Sequence, residues 1–329
     1  MGNMVWVGVD VGKAEFSAAV APSDESVRAV RTLPVNTFAF TTAGLSEFVS
    51  WVKRQRGDGA VAGVCIESTG RLGWRWMKAL KQTSWPVAMV NPSYTKAFGE
   101  SLGVRDKTDE LDARVLAVYG AVMSPEPTTM RSPRMVDLRE SNRLFSSLSR
   151  DKQSYDKRLL DGPDSAFVRR ELRQTIRGLE RRMQSVQKHM DELIAQDAKL
   201  KNDAECITSI IGVGPRTVCV LFAELGDLRT YRRNELVSFV GLYPRKHESG
   251  SSVRRKPRLV KRGGAPVRKA LYLCAMSART HNPQMRRLYE RHVKNGVSPM
   301  AALGILMRKL LLLARTLLIQ QTKYDPQYA

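Results

Sequence analysis

Four carboxylates in this chain have the types and positions of ligands for a divalent metal ion. Asp10 and Glu67 each end an apolar, strand-like run of residues. Asp109 and Asp112 follow a threonine that the pattern predicts as a helix N-cap, so they lie three residues apart on one helix face. Oxygen ligands suit Mg²⁺, and phosphoryl chemistry commonly uses two such ions. The four acids therefore predict a Mg²⁺ site at which phosphodiesters react.

Two of the four acids also have a simpler explanation that involves no metal ion. Carboxylates in a first helical turn, such as Asp109 and Asp112, are favoured by the helix dipole without any metal. Asp10 and Glu67 lack that explanation, because a charged side chain in an apolar strand is costly unless it is paired or coordinated. Two such acids together with a helix pair favour the metal site.

The charge of the chain points to a negatively charged polymer as its partner. The 329 residues include 54 Lys and Arg against 32 Asp and Glu, a formal net charge of +22. A membrane surface is disfavoured, since the N-terminus enters a strand pattern without the basic and small-residue features of a signal peptide. The most apolar late segment, 301–319, is interrupted by Arg308, Lys309 and Arg315 and reads as a buried helix.

The cysteines predict a reducing compartment. Cys65, Cys206, Cys219 and Cys274 each lie in an apolar run and form no Cys-x-x-Cys pair, so buried free thiols are expected. The four histidines are scattered and do not have the spacing of metal ligands. We therefore expect a cytoplasmic protein.

The first part of the chain alternates between strand and helix patterns. The predicted strands are 4–11, 16–21, 27–33, 60–67 and 87–90. Thr42 is predicted to cap a helix, a second helix is predicted near 72–81, and the acid pair begins another. A three-stranded meander followed by α/β units predicts a ribonuclease H-like sheet. We expect this domain to span 1–125, a linker with coiled-coil helices 126–200, and a mainly helical domain 201–329.

The central region carries a heptad pattern. Its apolar positions alternate spacings of four and three: Leu172, Ile176, Leu179, Met183, Val186, Met190 and Leu193. This pattern predicts a coiled-coil hairpin or an oligomer contact, and the alternative is an amphipathic helix packed on its own domain.

Residues 207–215 predict two helices joined by a glycine hairpin, with Pro215 at the first position of the second helix. Backbone N–H groups around Gly212 and Gly214 can hold a DNA phosphate without reading sequence. An ordinary connector has the same spacing, and the net charge favours phosphate binding. Three helices at about 266–280, 282–294 and 298–320 are predicted to follow.

Residues 245–269 hold ten Lys or Arg against one acid and predict a solvated loop or a nucleic-acid contact. The candidate contacts are Arg245, Lys246, Arg254, Arg255, Lys256, Arg258, Lys261 and Arg262. Within the run lies Ser249, the first residue of Ser-Gly-Ser-Ser. Such a segment is usually only flexible, and no His-Asp pair is visible to activate a hydroxyl. The flanking cations, however, can stabilise charge that develops in a displacement at phosphorus.

Taken together, these motifs resemble the DEDD transposases, a family that includes Piv/MooV-type DNA invertases and the bridge-RNA-guided recombinases of insertion sequences. The matching segments are 8–13, 67–70, 107–113, 212–214, 241–245, 248–252 and 267–271. They occur in the expected order and cover both ends of the chain.

The resemblance implies a RuvC-like N-terminal domain whose four acids bind Mg²⁺, and a helical C-terminal domain whose Ser249 attacks DNA to form a phosphoserine link. It implies an insertion-sequence transposase acting on donor and target DNA under the guidance of a structured RNA. The alternative is a RuvC-like invertase or junction nuclease working without guide RNA. Because recombination joins two duplexes, we expect a homo-oligomer, a dimer that becomes a tetramer on DNA, in the bacterial cytoplasm at the nucleoid.

Two readings from other classes are weaker. Asp10 also suits the first phosphate loop of the sugar kinase and actin superfamily, but the second Asp-x-Gly loop and the later Gly-Gly segment that this superfamily needs are missing. A non-catalytic DNA-organising protein would have no reason to retain four convergent acids.

Overall fold

The computed structural model describes residues 4–23, 27–68, 71–80, 83–104, 106, 108–129, 131–249, 253–259 and 263–327. For 27–29, 71, 244–249 and 253–259 the description covers the backbone and not the side chains. The chain forms two compact units, Met1–Met130 and Arg131–Ala329.

The first unit contains a five-stranded sheet. Its strands are β1 (Met4–Val11), β2 (Glu15–Pro22), β3 (Val35–Ala39), β4 (Ala60–Glu67) and β5 (Val87–Val90). Their order is β3-β2-β1-β4-β5, with the first three strands antiparallel and with β4 and β5 running parallel to β1. This order confirms the predicted ribonuclease H-like sheet, and the parallel arrangement brings Asp10 and Glu67 to the same edge.

The predicted third strand was wrong. Val27–Thr32 is a 3₁₀ helix, and the strand that pairs with β2 comes after it, at Val35–Ala39. Among residues 30–33, whose side chains are described, Val30 and Leu33 are buried, and their spacing of three matches a helical turn rather than strand alternation. Pro34 separates the two elements and favours extended backbone at the residue before it.

Helices cover the sheet of the first unit. They are α1 (Thr42–Arg56), α2 (Arg71–Leu80), α3 (Pro92–Ser101) and α4 (Asp109–Met123). The N-cap of α1 is Thr41, one residue before the predicted cap, and its hydroxyl accepts a hydrogen bond from the Gly44 N–H at 3.1 Å. Phe16 packs edge-on against Phe48 of α1 and Trp76 of α2. These rings belong to the buried core that fixes β1 and β2 under the first two helices.

The second unit begins with two long helices, α5 (Pro133–Leu160) and α6 (Ala166–Ala195), which pack side by side as a hairpin. Of the heptad positions on α6, Ile176 and Met190 are buried and the others are half-buried. The apolar face of α6 therefore meets α5 of the same chain. Met190 and Ile194 also belong to the core of the second unit.

The rest of the second unit is mainly helical, as predicted. It comprises α7 (Ala198–Thr208), α8 (Pro215–Leu225), α9 (Arg233–Val240), β6 (Pro244–Ser249), β7 (Val253–Leu259), α10 (Ala265–His281), α11 (Pro283–Lys294) and α12 (Pro299–Gln320). Within the basic run 245–269, β6 and β7 form a paired antiparallel ladder. The sequence predicted either a solvated loop or a nucleic-acid contact here, and a ladder differs from the first of these alternatives. A two-stranded ladder satisfies its backbone groups by pairing and needs no core, so composition alone does not exclude it.

Two bulk expectations can be compared with the described residues. The four cysteines are free and buried, as predicted. Across the described ranges, every helix is too short or too polar to cross a membrane.

Candidate active site and nucleic-acid interface

Asp10 lies half-buried at the end of β1. The pKa of its carboxyl is raised to about 6, mainly by burial and in addition by the charges of Asp109, Asp112 and Glu67. These are the other three acids that the sequence singled out. The fold therefore brings all four carboxylates into one electrostatic field.

Glu67 ends β4, the strand next to β1, and its carboxylate is held by a neighbour that sequence reasoning missed. The hydroxyl of Thr95 donates a hydrogen bond to Glu67 Oε1 at 2.6 Å. Thr95 is only 3% exposed and lies on α3, which begins directly after β5. The available signal was its place one helical turn after the end of the strand beside β4. We assign Thr95 as a positioning residue for Glu67.

Asp109 and Asp112 occupy the first turn of α4, as predicted. Thr108 is the N-cap, and its hydroxyl accepts a hydrogen bond from the Leu111 N–H at 3.2 Å. Asp109 is exposed, whereas Asp112 is half-buried. The cap fixes where α4 begins and so fixes which face carries the two acids.

The approach of α4 to the sheet depends on Gly8. A Cβ atom added at this residue would lie 2.1 Å from the carbonyl oxygen of Ala113 and 2.2 Å from the amide nitrogen of Ala117. Both contacts are to backbone, which cannot rotate away. Gly8 therefore allows the close packing that places the acid pair beside Asp10.

Gly8→Ala should push α4 away from β1. We expect the protein to lose about 1–3 kcal/mol of unfolding free energy, as for other overpacked cores, and the pKa of Asp10 to fall toward 3.8 as the other acids move away. Chemical denaturation and NMR titration of Asp10 measure the two effects. Gly178→Ala is the control, because Gly178 lies in α6 with open space around its Cα. The Gly178→Ala protein should gain roughly 0.5–1 kcal/mol of unfolding free energy. A destabilised Gly178→Ala protein together with an unchanged Gly8→Ala protein would contradict the packing argument.

The chemistry of this cluster fits a hard cation. Four carboxylates supply only oxygen donors, and a dication would offset their mutual repulsion. In the described positions, however, no three acidic, His or Cys side chains are close enough together to hold a metal ion. Ion binding at these residues therefore requires their side chains to move closer together.

The glycine hairpin in the second unit has the predicted form. Gly212 has φ +99°, and a Cβ there would lie 2.8 Å from the backbone of Ala278, so only glycine fits. Gly214 is the N-cap of α8, is exposed, and has open space around its Cα. Pro215 occupies N1. The start of α8 is thus accessible to a phosphate.

Six of the eight predicted basic residues lie on the β6–β7 ladder. Its register pairs Arg245 with Arg258, His247 with Arg255, Glu248 with Arg254, and Ser249 with Val253. Lys246 lies at the irregularity of β6, and Lys256 lies within β7. Ser249 is therefore the last residue of β6, at the end where the two strands connect. Its side chain, residues 250–252, and Lys261 and Arg262 lie outside the described part.

Comparison with known protein families decides the identity of this arrangement. Residues 7–162 match a family model of IS110 DEDD transposases that is described as a transposase, and residues 204–290 match the transposase IS116/IS110/IS902 family. The chain belongs to the IS110 family of DEDD transposases. It is therefore a DNA recombinase. Membership in this family excludes the two alternatives, a sugar kinase and a non-catalytic DNA-organising protein.

Individual relatives of this IS110-family protein are distant in sequence. The pilin gene-inverting protein of Moraxella bovis is 25% identical, and the alignment covers 98% of each chain. The transposase for insertion sequence element IS1111A of Coxiella burnetii is 23% identical over 74% of this chain and 70% of its own length. A Thermus thermophilus RuvC structure aligns over 38% of this chain and all of its own, at 15% identity and a TM-score of 0.27.

Proposed function

We propose that this IS110-family protein cleaves and exchanges DNA strands at a site where Asp10, Glu67, Asp109 and Asp112 bind Mg²⁺ and Ser249 is the nucleophile. The observation that carries the proposal is that Asp109, Asp112 and Glu67 lie near enough to Asp10 for their charges, together with its burial, to raise the pKa of its carboxyl to about 6. Pilin gene inversion by the relative that aligns over the whole chain supports strand exchange as the reaction.

The proposed covalent step balances without an external energy source. The Ser249 hydroxyl gives up its proton, and its Oγ forms a bond to a DNA phosphorus. The bond from that phosphorus to one strand oxygen breaks, and this oxygen takes a proton and leaves as a hydroxyl. A hydroxyl from a second strand then reverses the step. Because the phosphoserine keeps the energy of the phosphodiester bond, rejoining requires no ATP.

The chain's own residues have separate tasks in this proposal. Asp10 and Glu67 are held at the sheet edge, Glu67 by the Thr95 hydroxyl at 2.6 Å, and Asp109 and Asp112 complete the set from α4. Mg²⁺, when bound, would supply Lewis-acid stabilisation of charge at phosphorus. Arg245 and Arg254 on the β6–β7 ladder would hold the phosphate near Ser249. Gly212 and Gly214 would let the start of α8 hold a second phosphate.

We also propose that a homo-oligomer performs the reaction, as a dimer that becomes a tetramer on DNA. Exchange between two duplexes needs more than one active site. The half-buried positions Leu172, Met183 and Val186 on α6 leave part of its apolar face available to another copy. Ile176 is only 9% exposed within its own chain, so substitutions there would test folding rather than assembly.

The proposal includes guidance of the reaction by a structured RNA that pairs with donor and target DNA. We expect one discrete RNA of defined sequence to co-purify with the protein. Ribonuclease treatment should then abolish strand exchange, and adding back that RNA should restore it. Recovery of only heterogeneous RNA, with exchange that resists ribonuclease, would instead favour the alternative function of an invertase or junction nuclease without guide RNA.

A further inference from the structure

Three arginines gather at one end of α8 in the second unit. Arg131 donates two hydrogen bonds from its guanidinium, to the carbonyl oxygens of Ala223 at 2.6 Å and of Glu224 at 3.0 Å. This places a cation at the C-terminus of α8, where the helix dipole favours one. Arg139 and Arg143 lie one turn apart on α5, and their charges act on Arg131 or on each other. We call Arg131, Arg139 and Arg143 the arginine cluster.

Two arginines and one carboxylate are among the described groups whose charges act on Arg139. Burial lowers the pKa of Arg139, and the charges of Arg131 and Arg143 lower it further. The opposing carboxylate is that of Glu224, which also accepts a hydrogen bond from the Asn142 side chain at 2.9 Å. A half-buried cation without a matched anion is unfavourable for folding. The cluster is therefore poorly explained as a device for stability alone.

One donor of the arginine cluster lacks a partner. Arg139 Nε is buried and makes no hydrogen bond within the described part of the chain. Buried donors are nearly always satisfied in folded proteins, so an unpartnered one points to a missing anion or water. The guanidinium fork presents paired N–H groups that match phosphate oxygens. Arg143 is exposed, so the cluster is open to solvent on its side.

An exposed aromatic ring is connected to the arginine cluster through Tyr231. The charges of Arg131 and Arg139 act on Tyr231, whose ring centroid is 5.6 Å from that of Phe239. Phe239 is 50% exposed. A large exposed ring next to cations is the combination on which nucleic-acid bases stack while their phosphates are held.

The same surface lies next to Gly263, which follows the β6–β7 ladder in the chain. A Cβ at Gly263 would lie 2.8 Å from the carbonyl oxygen of Phe239, so Gly263 lies against the backbone of α9. Arg268 at the start of α10 donates to the Val240 carbonyl oxygen at 2.8 Å. The residues that begin α10 and those that end α9 are therefore in contact next to Phe239.

We infer that Arg131, Arg139 and Arg143 bind a phosphate of a nucleic-acid backbone, with Phe239 as the stacking platform for an adjacent base. The inference rests on the proposed function in that nucleic acid is the partner. It adds a site to the predicted contacts, which were confined to the glycine hairpin and the basic run. The phosphate belongs to DNA or to RNA, which share this chemistry.

The test is binding by Arg139→Met and Arg143→Gln proteins to two fluorescent probes of equal length, a duplex DNA and a single-stranded RNA. For at least one probe, each variant should bind about tenfold more weakly, as expected for the loss of a charge-assisted hydrogen bond. The salt dependence of binding should fall by about one phosphate contact. Arg150→Gln is the control, because Arg150 is an exposed arginine elsewhere on the same helix. This substitution should change the affinity by less than about twofold.

Thermal unfolding separates this site from a structural role. A phosphate site predicts that Arg139→Met keeps or raises Tm, because the substitution removes an unmatched half-buried charge. Unchanged affinity of both variants for both probes would overturn the inference, and so would an equal loss in Arg150→Gln. A large fall in Tm for Arg139→Met, with normal binding by Arg143→Gln, would assign the cluster to folding instead. Since the readout is binding, the result is independent of whether Ser249 is the nucleophile.

Discussion

Asp10→Asn should abolish strand exchange and, in the absence of Mg²⁺, make the protein more stable above pH 6. The loss of exchange should exceed about a hundredfold, because even outer-shell partners of metal ligands are commonly worth 10- to 100-fold. The gain in stability has a separate cause. Burial and three neighbouring carboxylates oppose ionisation of Asp10 in the folded state, and asparagine removes that charge.

The sign of the pH dependence follows from the direction of the shift. The pKa of Asp10 is about 6 in the folded protein, against an ordinary value of 3.8. The folded state therefore binds more protons than the unfolded state between these values, and stability falls as pH rises through the window. The penalty is complete above pH 6, where we expect Asp10→Asn to gain roughly 1–2 kcal/mol, after discounting for partial exposure. Near pH 3 the gain should vanish.

Mg²⁺ should reverse this order of stability. An ion that binds only the folded state stabilises it in proportion to its concentration over its Kd. Adding Mg²⁺ should therefore raise the Tm of the wild type and leave that of Asp10→Asn nearly unchanged. Glu110→Gln is the matched control, since Glu110 is an exposed acid in the same first turn of α4 that lies outside the proposed set. Wild-type exchange by Asp10→Asn, or an equal response of all three proteins to Mg²⁺, would contradict the metal site.

The sequence was sufficient to predict four of the five strands and the elements that carry the four acids, because both depend on local patterns. The apolar runs that end in Asp10 and Glu67 predict two of the strands directly. Thr108 predicts where the helix that carries Asp109 and Asp112 begins. The convergence then follows from parallel pairing of β1 with β4. The third strand failed because the segment 27–33 is apolar enough for either element, and the choice depended on Pro34 and on pairing with β2.

Other features could not be predicted because they exist only between distant residues. Thr95 has no unusual setting in the sequence, and its role depends on the distance of its hydroxyl from Glu67. The arginine cluster is similarly hidden in the sequence, since Arg131 precedes α5 and Arg139 and Arg143 are ordinary positions of that charged helix until α8 places Glu224 near Arg131 and Arg139. The heptad pattern of α6 correctly predicted an apolar face, but spacing alone could not identify α5 as the element that covers it.

Ser249→Ala should eliminate a covalent protein–DNA adduct and reduce strand exchange by at least about a thousandfold. A serine hydroxyl is a poor nucleophile near neutral pH, so attack needs the phosphate to be held and its charge stabilised. Ser249 ends β6 and lies opposite Val253, flanked on the paired strand by Arg254 and Arg255. Arginines on one short ladder can bind a phosphate beside this residue, and the family resemblance implies Ser249 rather than Ser251 or Ser252 as the attacking group.

The experiment traps the reaction on DNA that carries a nick or mismatch and looks for an adduct that survives denaturation. Ser251→Ala and Ser252→Ala are the matched controls and should still form it. Asp10→Asn should also lack the adduct, because the proposal requires both the acids and the serine for cleavage. Attack by water at the four acids would instead leave free 5′-phosphate and 3′-hydroxyl ends and no adduct. If Ser249→Ala still exchanges strands, the reaction belongs to the acids alone, and the basic ladder serves to bind nucleic acid.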